Sequence, residues 1–214
     1  MNNYFDLNSI FDIIGTIAFA ISGALFGAKK NMDVLGVLVL GIVTALGGGF
    51  IRDLVLGITP PNMFQNSTNA IIATLSSLLV FLILYIKTDK IDKKLINHLS
   101  KIMTISDTIG LASFTITGIA TAISVGHEEK FLLVFVGTVT GVGGGAIRDV
   151  LSGSVPFIFR EQIYAGACIL GSFVFLIVRH FVPTDISLII CFLTVLIVRL
   201  IAVKKNLNLP KITD

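Results

Sequence analysis

Residues 41–60 read GIVTALGGGFIRDLVLGITP, and residues 137–156 read GTVTGVGGGAIRDVLSGSVP. Eleven of these twenty positions are identical. A second match lies upstream of each copy: DIIGTIAFAISG at 12–23 against DTIGLASFTITG at 107–118, with six of twelve positions shared. The offsets are 95 and 96 residues, so the two blocks keep their spacing and the chain contains an internal repeat. Stretches 68–86 and 162–181 follow the two copies and match each other only in length and apolar character.

The repeat sits in a chain poor in charge. Of 214 residues, 14% are charged and 54% hydrophobic, and the mean hydropathy is +0.94. Soluble domains carry roughly 25% charged residues. These values exclude a disordered chain, a nucleic-acid partner and an ordinary cytosolic enzyme, and they indicate a polytopic membrane protein. Cys168 and Cys191 lie in apolar runs with no CxxC pattern and read as buried, inert thiols. Residues 1–28 hold no Lys or Arg, so the basic region of a signal peptide is missing and the first apolar run reads as a retained span.

A span needs about 20 mostly apolar residues. Cutting at charge clusters and Gly/Pro breaks gives seven: 10–28, 34–57, 68–86, 104–125, 131–152, 162–181 and 185–203. Pro60-Pro61 divides the uncharged stretch from Leu54 to Tyr85, which is too long for one span. Asp185 and Arg199 crowd the ends of the seventh and are expected to snorkel. The expected fold is therefore an all-α transmembrane domain over 1–214. It comprises repeat 1 (5–87), a cytoplasmic linker (88–102), repeat 2 (103–182) and an extra helix (184–204). Three spans per repeat is an odd number, so the second copy enters from the opposite face, as in the inverted repeats of transport proteins. With the N-terminus outside, twelve basic residues fall on the inside and two, Lys130 and Arg179, on the outside. The positive-inside rule then places the C-terminus in the cytoplasm. The basic run 87–101 is read as a loop that sets topology, the alternative being a phospholipid headgroup site.

Within the repeat, GGGxIRDxxxGxxP carries the chemistry. Gly47, Gly48 and Gly49, with Gly143, Gly144 and Gly145, are read as points where spans 2 and 5 kink or unwind and bare carbonyls toward a cation path. The competing reading is close packing through small residues, which is assigned to Gly23/Gly27 and Gly137/Gly141. Arg52-Asp53 and Arg148-Asp149 are intramembrane charges and hence gate or lock elements. Neighbours on a helix diverge by about 100°, which predicts pairing across the repeats, Arg52 with Asp149 and Arg148 with Asp53. The alternative is that the pairs anchor helix ends at the interface. Asp12 and Asp107 open spans 1 and 4 and read as N-caps, or else as cation-attracting groups at each mouth. Ser22, Thr44, Thr117 and Thr140 either line a polar path or bond the backbone one turn earlier. His98 and His127 fall in loops and His180 ends a span, so no ligand spacing or nucleophile–base pair emerges, and neither a metal site nor an enzyme is expected.

The doubled GGGxxRDxLxGxxP pattern on a three-plus-three-plus-one layout resembles the prokaryotic trimeric intracellular cation channels, some of which are labelled putative glycine transporters. The resemblance covers about residues 5–205. It implies a homotrimer in the plasma membrane in which each protomer has its own pore, lined by spans 1, 2, 4 and 5 and conducting K⁺ or Na⁺. No cofactor is implied beyond the permeant ion and bound phospholipid. Animal members carry Lys-Glu-Val motifs linked to phosphoinositide binding where this chain reads Ile51-Arg52-Asp53 and Ile147-Arg148-Asp149. Neither that binding nor an organelle counter-ion role is therefore carried over. The same inverted repeat also suits a secondary transporter for glycine or a similar small neutral solute.

Overall fold

The computed structural model describes residues 4–86, 93–160 and 163–207. Regular structure there is helical: α1 (Tyr4–Lys29), α2 (Val34–Val55), α3 (Asn62–Gln65), α4 (Thr68–Ile86), α5 (Lys93–Ser124), α6 (Lys130–Leu151), α7 (Phe157–Arg160), α8 (Tyr164–Val178) and α9 (Thr184–Lys205). Six of them, α1, α2, α4, α5, α6 and α9, are long and apolar enough to cross a membrane. The protein is thus a multi-pass helical membrane protein. The sixth expected span is shorter than predicted. α8 has 15 residues, about 22 Å at 1.5 Å per residue, and residues 161–162 lie outside the described ones.

Each repeat is two long helices, a four-residue helix and a third apolar helix: α1, α2, α3 and α4, then α5, α6, α7 and α8. The first helices of the repeats pack on each other, α1 on α5, and so do the second, α2 on α6. α9 packs on α5 and α8. α5 is the most enclosed span and α4 the least. Outward side chains such as Leu75, Leu79, Phe173 and Ile197 are exposed apolar groups suited to lipid.

Residues 93–102, expected in the linker, are instead the first turns of α5, and His98 lies on this helix rather than in a loop. Leu99, Ile102 and Met103 recur at helical spacing and pack with Leu25, Phe26 and Leu40, so the helix gains burial by continuing beyond the span. Residues 88–92 lie outside the described ones.

The repeated motif ends its helix in the same way twice. After α2, Gly57 adopts φ +69°, its N–H donates to the Leu54 carbonyl, and the Ile58 N–H donates to the Asp53 carbonyl. After α6, Gly153 adopts φ +67°, its N–H donates to Val150, and the Ser154 N–H donates to Asp149. Both are Schellman caps, in which a left-handed residue turns the chain so that two orphan carbonyls find donors. Alanine at Gly57 or Gly153 would meet no atom within 4 Å, so its cost is conformational alone. Gly57→Ala and Gly153→Ala are each expected to lower stability by about 1–2 kcal/mol, read from thermal unfolding of the purified protein. Unchanged melting would show that the cap does not depend on the left-handed residue.

The triple glycines do not unwind their helices, which corrects that part of the expectation. Helical structure runs unbroken through Gly47–Gly49 and Gly143–Gly145. A Cβ on Gly48 would collide with the Thr140 carbonyl of α6, and one on Gly144 with the Thr44 carbonyl of α2. Gly143 lies against the Cα of Gly48. The glycines therefore let α2 and α6 cross backbone to backbone at the centre of the repeat pair, the small-residue packing reserved in sequence for other positions. Those other positions pack likewise, Gly23 on Gly41 and Thr44, and Gly141 on Thr115. α1 and α5 meet through a reciprocal pair: Phe19 covers Gly110, Phe114 covers Gly15, and the two rings lie 5.3 Å apart.

Candidate functional site

The last turn of α2 and of α6 presents the Arg-Asp pairs. The chain reverses at the glycine cap and returns through proline into a four-residue helix. Its first backbone N–H groups land on the aspartate: Asn62 N–H donates to Asp53 Oδ2 and Phe157 N–H to Asp149 Oδ2, each at 2.7 Å. The other carboxylate oxygen holds the adjacent arginine. Arg52 Nε donates to Asp53 Oδ1 at 2.8 Å, and Arg148 Nε to Asp149 Oδ1 at 2.9 Å. The pairing is therefore within each repeat, not across it as predicted. The flexible arginine stem closes the angle between neighbours, while the returning chain fixes each aspartate beside its own arginine. Both pairs are buried in the protein: Asp53, Arg148 and Asp149 are at most 1% exposed and Arg52 is 7% exposed.

Asp12 and Asp107 lie well inside α1 and α5, so they are not N-caps. α5 starts fourteen residues before Asp107, because the apolar pattern continues upstream of the carboxylate. Asp107 instead takes the second face of Arg148: Nη1 donates to Asp107 Oδ1 at 2.5 Å and to Ser22 Oγ of the first repeat at 2.9 Å. Ser22 in turn donates to Asp107 at 3.2 Å. The guanidinium is stacked between Phe26 and Phe157, 4.9 and 4.8 Å from the ring centroids. Arg148 is thus clamped by two carboxylates, a hydroxyl and two aromatic faces, and it carries the cross-repeat contact that Asp53 was expected to supply.

The first repeat lacks this clamp. Arg52 bonds Asp53, while Asp12, the counterpart of Asp107, accepts from the Asn69 amide. A cavity of about 530 Å³ is lined by Asp12, Thr16, Gly49, Arg52, Asp53 and Asn69 among others. A second cavity, about 480 Å³, is lined by Phe26, Lys29, Thr104, Asp107, Phe157 and Arg199. The first borders the N-terminal half of α1 and the second its C-terminal end, so the two approach the molecule from opposite ends. Between Thr16 and Phe26 lie Phe19 and Ser22, both fully buried, with Leu111 on α5.

The hydroxyls divide. Thr44 and Thr140 donate to carbonyls four residues earlier, and Thr117 to Phe114 three residues earlier; Ser22 alone of the four joins the charge cluster. Arg199 does not snorkel. It is 2% exposed, with its guanidinium 4.9 Å from the Tyr164 ring. Cys168 and Cys191 are buried free thiols. Sequence reasoning missed Asn62, Asn69, Phe26, Phe157 and Tyr164. The two asparagines bound a polar, uncharged run after Pro60-Pro61, NMFQNSTN at 62–69, a signal legible in the sequence; phenylalanines within apolar runs carry none.

A family model described as "Glycine transporter" matches residues 9–85 and again 104–180, one match per repeat. The chain is 38% identical over 201 residues to the "UPF0126 inner membrane protein YadS" of Escherichia coli K12, covering 93% of each. It is 36% identical to the "UPF0126 membrane protein YvgT" of Bacillus subtilis, covering 94% of each. A solved TRIC cation channel shares 43% identity and a TM-score of 0.81 over 96% of this chain and 97% of its own. The chain belongs to the TRIC family. A prokaryotic TRIC channel solved in 0.5 M KCl matches at 34% identity and TM-score 0.85, over 96% and 100% of the two chains. The TRIC orthologue from Rhodobacter sphaeroides matches at 29% and 0.83, over 94% and 98%. In this chain the glycines of the doubled motif make the helix crossing, its Arg-Asp pair the buried charge, and its last glycine and proline the return to the short helix.

Proposed function

We propose that the protein is a monovalent cation channel with a conduction path inside each protomer, working as a homotrimer. The observation that carries this reading is the pair of polar cavities entering from opposite ends of the α1–α5 pair toward one buried layer, each holding an aspartate of the repeat. Its relatives of known structure are cation channels, one of them a trimeric intracellular cation channel orthologue. With seven crossings, α8 being the short one, the termini lie on opposite sides, and the basic-residue bias favours an outside N-terminus and a cytoplasmic C-terminus. Even with Arg199 withdrawn into the protein, eleven basic residues stand against two. The membrane is the plasma membrane, and the reading assigns no catalysis.

Purified protein in planar bilayers under a KCl gradient is expected to give discrete current steps that reverse near the K⁺ equilibrium potential. A carrier for glycine is the second reading, favoured only by the description of the family model. Saturable glycine uptake into liposomes, with no current steps, would establish it instead.

A further inference from the structure

Asn8, Asp12 and Thr16 follow one another at four-residue intervals on α1 and so share one helix face. All three line the 530 Å³ cavity. Their oxygens are under-used. Thr16 is 1% exposed and its hydroxyl has no hydrogen-bond partner. Elsewhere Thr44, Thr108, Thr115 and Thr140 give theirs to the carbonyl one turn earlier. Asn8 Oδ1 is likewise buried and unpartnered. Asp12 accepts from the neutral amide of Asn69, and among the described residues no salt bridge within 4.0 Å includes it. Arg52, across the same cavity, is already bonded to Asp53.

The second repeat shows what completes such a carboxylate. Asp107, the counterpart of Asp12 at an offset of 95, holds the cationic Nη1 of Arg148 and the hydroxyl of Ser22. A cation and a hydroxyl on one carboxylate is the arrangement that Asp12 lacks and that Thr16 is placed to extend. We propose that Asp12 binds a monovalent cation at the head of the path in either of two neighbouring positions, one shared with the Thr16 hydroxyl and the other with the Asn8 amide oxygen. One carboxylate with neutral oxygens suits a single positive charge; divalent sites gather more carboxylate ligands. The four-residue steps, about 6 Å each along the helix, make the three residues successive rungs, with Asp12 shared by the ion's neighbouring positions. This deepens the channel reading and rests on it for the ion's role, but not for its binding.

The test follows thermal unfolding of the purified full-length protein in chloride salts of K⁺, Na⁺ or N-methyl-D-glucamine at constant ionic strength. K⁺ or Na⁺ is expected to stabilise saturably and the bulky organic cation not. Asp12→Asn is expected to remove the saturable shift, Thr16→Val to raise the half-saturating concentration at least about tenfold as a ligand is lost, and Glu129→Gln to leave it unchanged. If Asp12→Asn does not fold, Thr16→Val and the anomalous signal of Rb⁺ in crystals decide: a peak beside Asp12 supports the site and a peak elsewhere overturns it. A wild-type protein with no saturable shift, or a shift that survives both substitutions, overturns it too. Bilayer currents from the same preparations separate the two claims. Current without binding at Asp12 removes the site and keeps the channel, whereas binding without current removes the channel and keeps the site.

Discussion

Arg148→Ala is expected to cost about 3–5 kcal/mol of stability, the range for removing one partner of a buried ion pair. The carboxylates of Asp107 and Asp149, both at most 2% exposed, would lose their shared cation. Truncation would also empty the slot between Phe26 and Phe157, whose ring contacts with the guanidinium disappear with it. Arg52→Ala is expected to cost less, about 2 kcal/mol, the loss of a charged hydrogen bond. Arg52 contacts one carboxylate, beside a cavity that admits water, and Asp53 keeps its bond from Asn62. Arg148→Ala combined with Asp107→Asn is expected to recover part of the deficit, because one orphaned charge is gone. Folded yield by size-exclusion chromatography and thermal unfolding measure all three. Equal losses for the two arginines would show that the clamp around Arg148 contributes nothing beyond its neighbouring aspartate.

The second large effect separates glycines that stand side by side. Gly144→Val is expected to cost about 3 kcal/mol or to prevent folding, since overpacking here pushes on backbone rather than on a movable side chain. The added Cβ would strike the Thr44 carbonyl, and at Gly48 the Thr140 carbonyl, so α2 and α6 would have to part. Gly49→Ala is expected to be neutral or stabilising. Its Cβ would approach nothing nearer than Arg52 at 3.7 Å, and alanine favours a helix interior by up to about 1 kcal/mol. Were the glycines there to unwind the helix, Gly49→Ala would damage the protein as much as Gly144→Val does. The melting temperatures of the two variants distinguish these roles directly.

The same two places show how far the residues could be read in advance. GGG followed by Arg-Asp announced an unusual point in a span, and its repetition at 41–60 and 137–156 announced that two such points face each other. Whether three glycines loosen a helix or tighten a crossing depends on what lies opposite. That neighbour is a carbonyl of the other repeat, Thr140 for Gly48 and Thr44 for Gly144. Similarly, Asp107 had the local appearance of a cap. It became a buried counter-charge because Lys93 to Ile102 continue the helix and because Arg148 comes to rest beside it.

Composition, the spacing of apolar stretches and the doubled motif determined the class of this protein by themselves. Helical periodicity and hydropathy are local properties, and an internal repeat is visible without knowing any contact. Those features settled an all-helical membrane chain built as two matched halves, and they named the charged positions that matter. The tertiary structure alone decided which charge meets which. Partner choice depends on a returning chain that places a backbone N–H on Asp53 or Asp149 and on helices from opposite halves coming within bonding distance. It also decided that the matched halves differ. Packing closes Asp107 onto Arg148 and leaves Asp12 facing a cavity, a distinction that the shared positions of the two repeats could not carry.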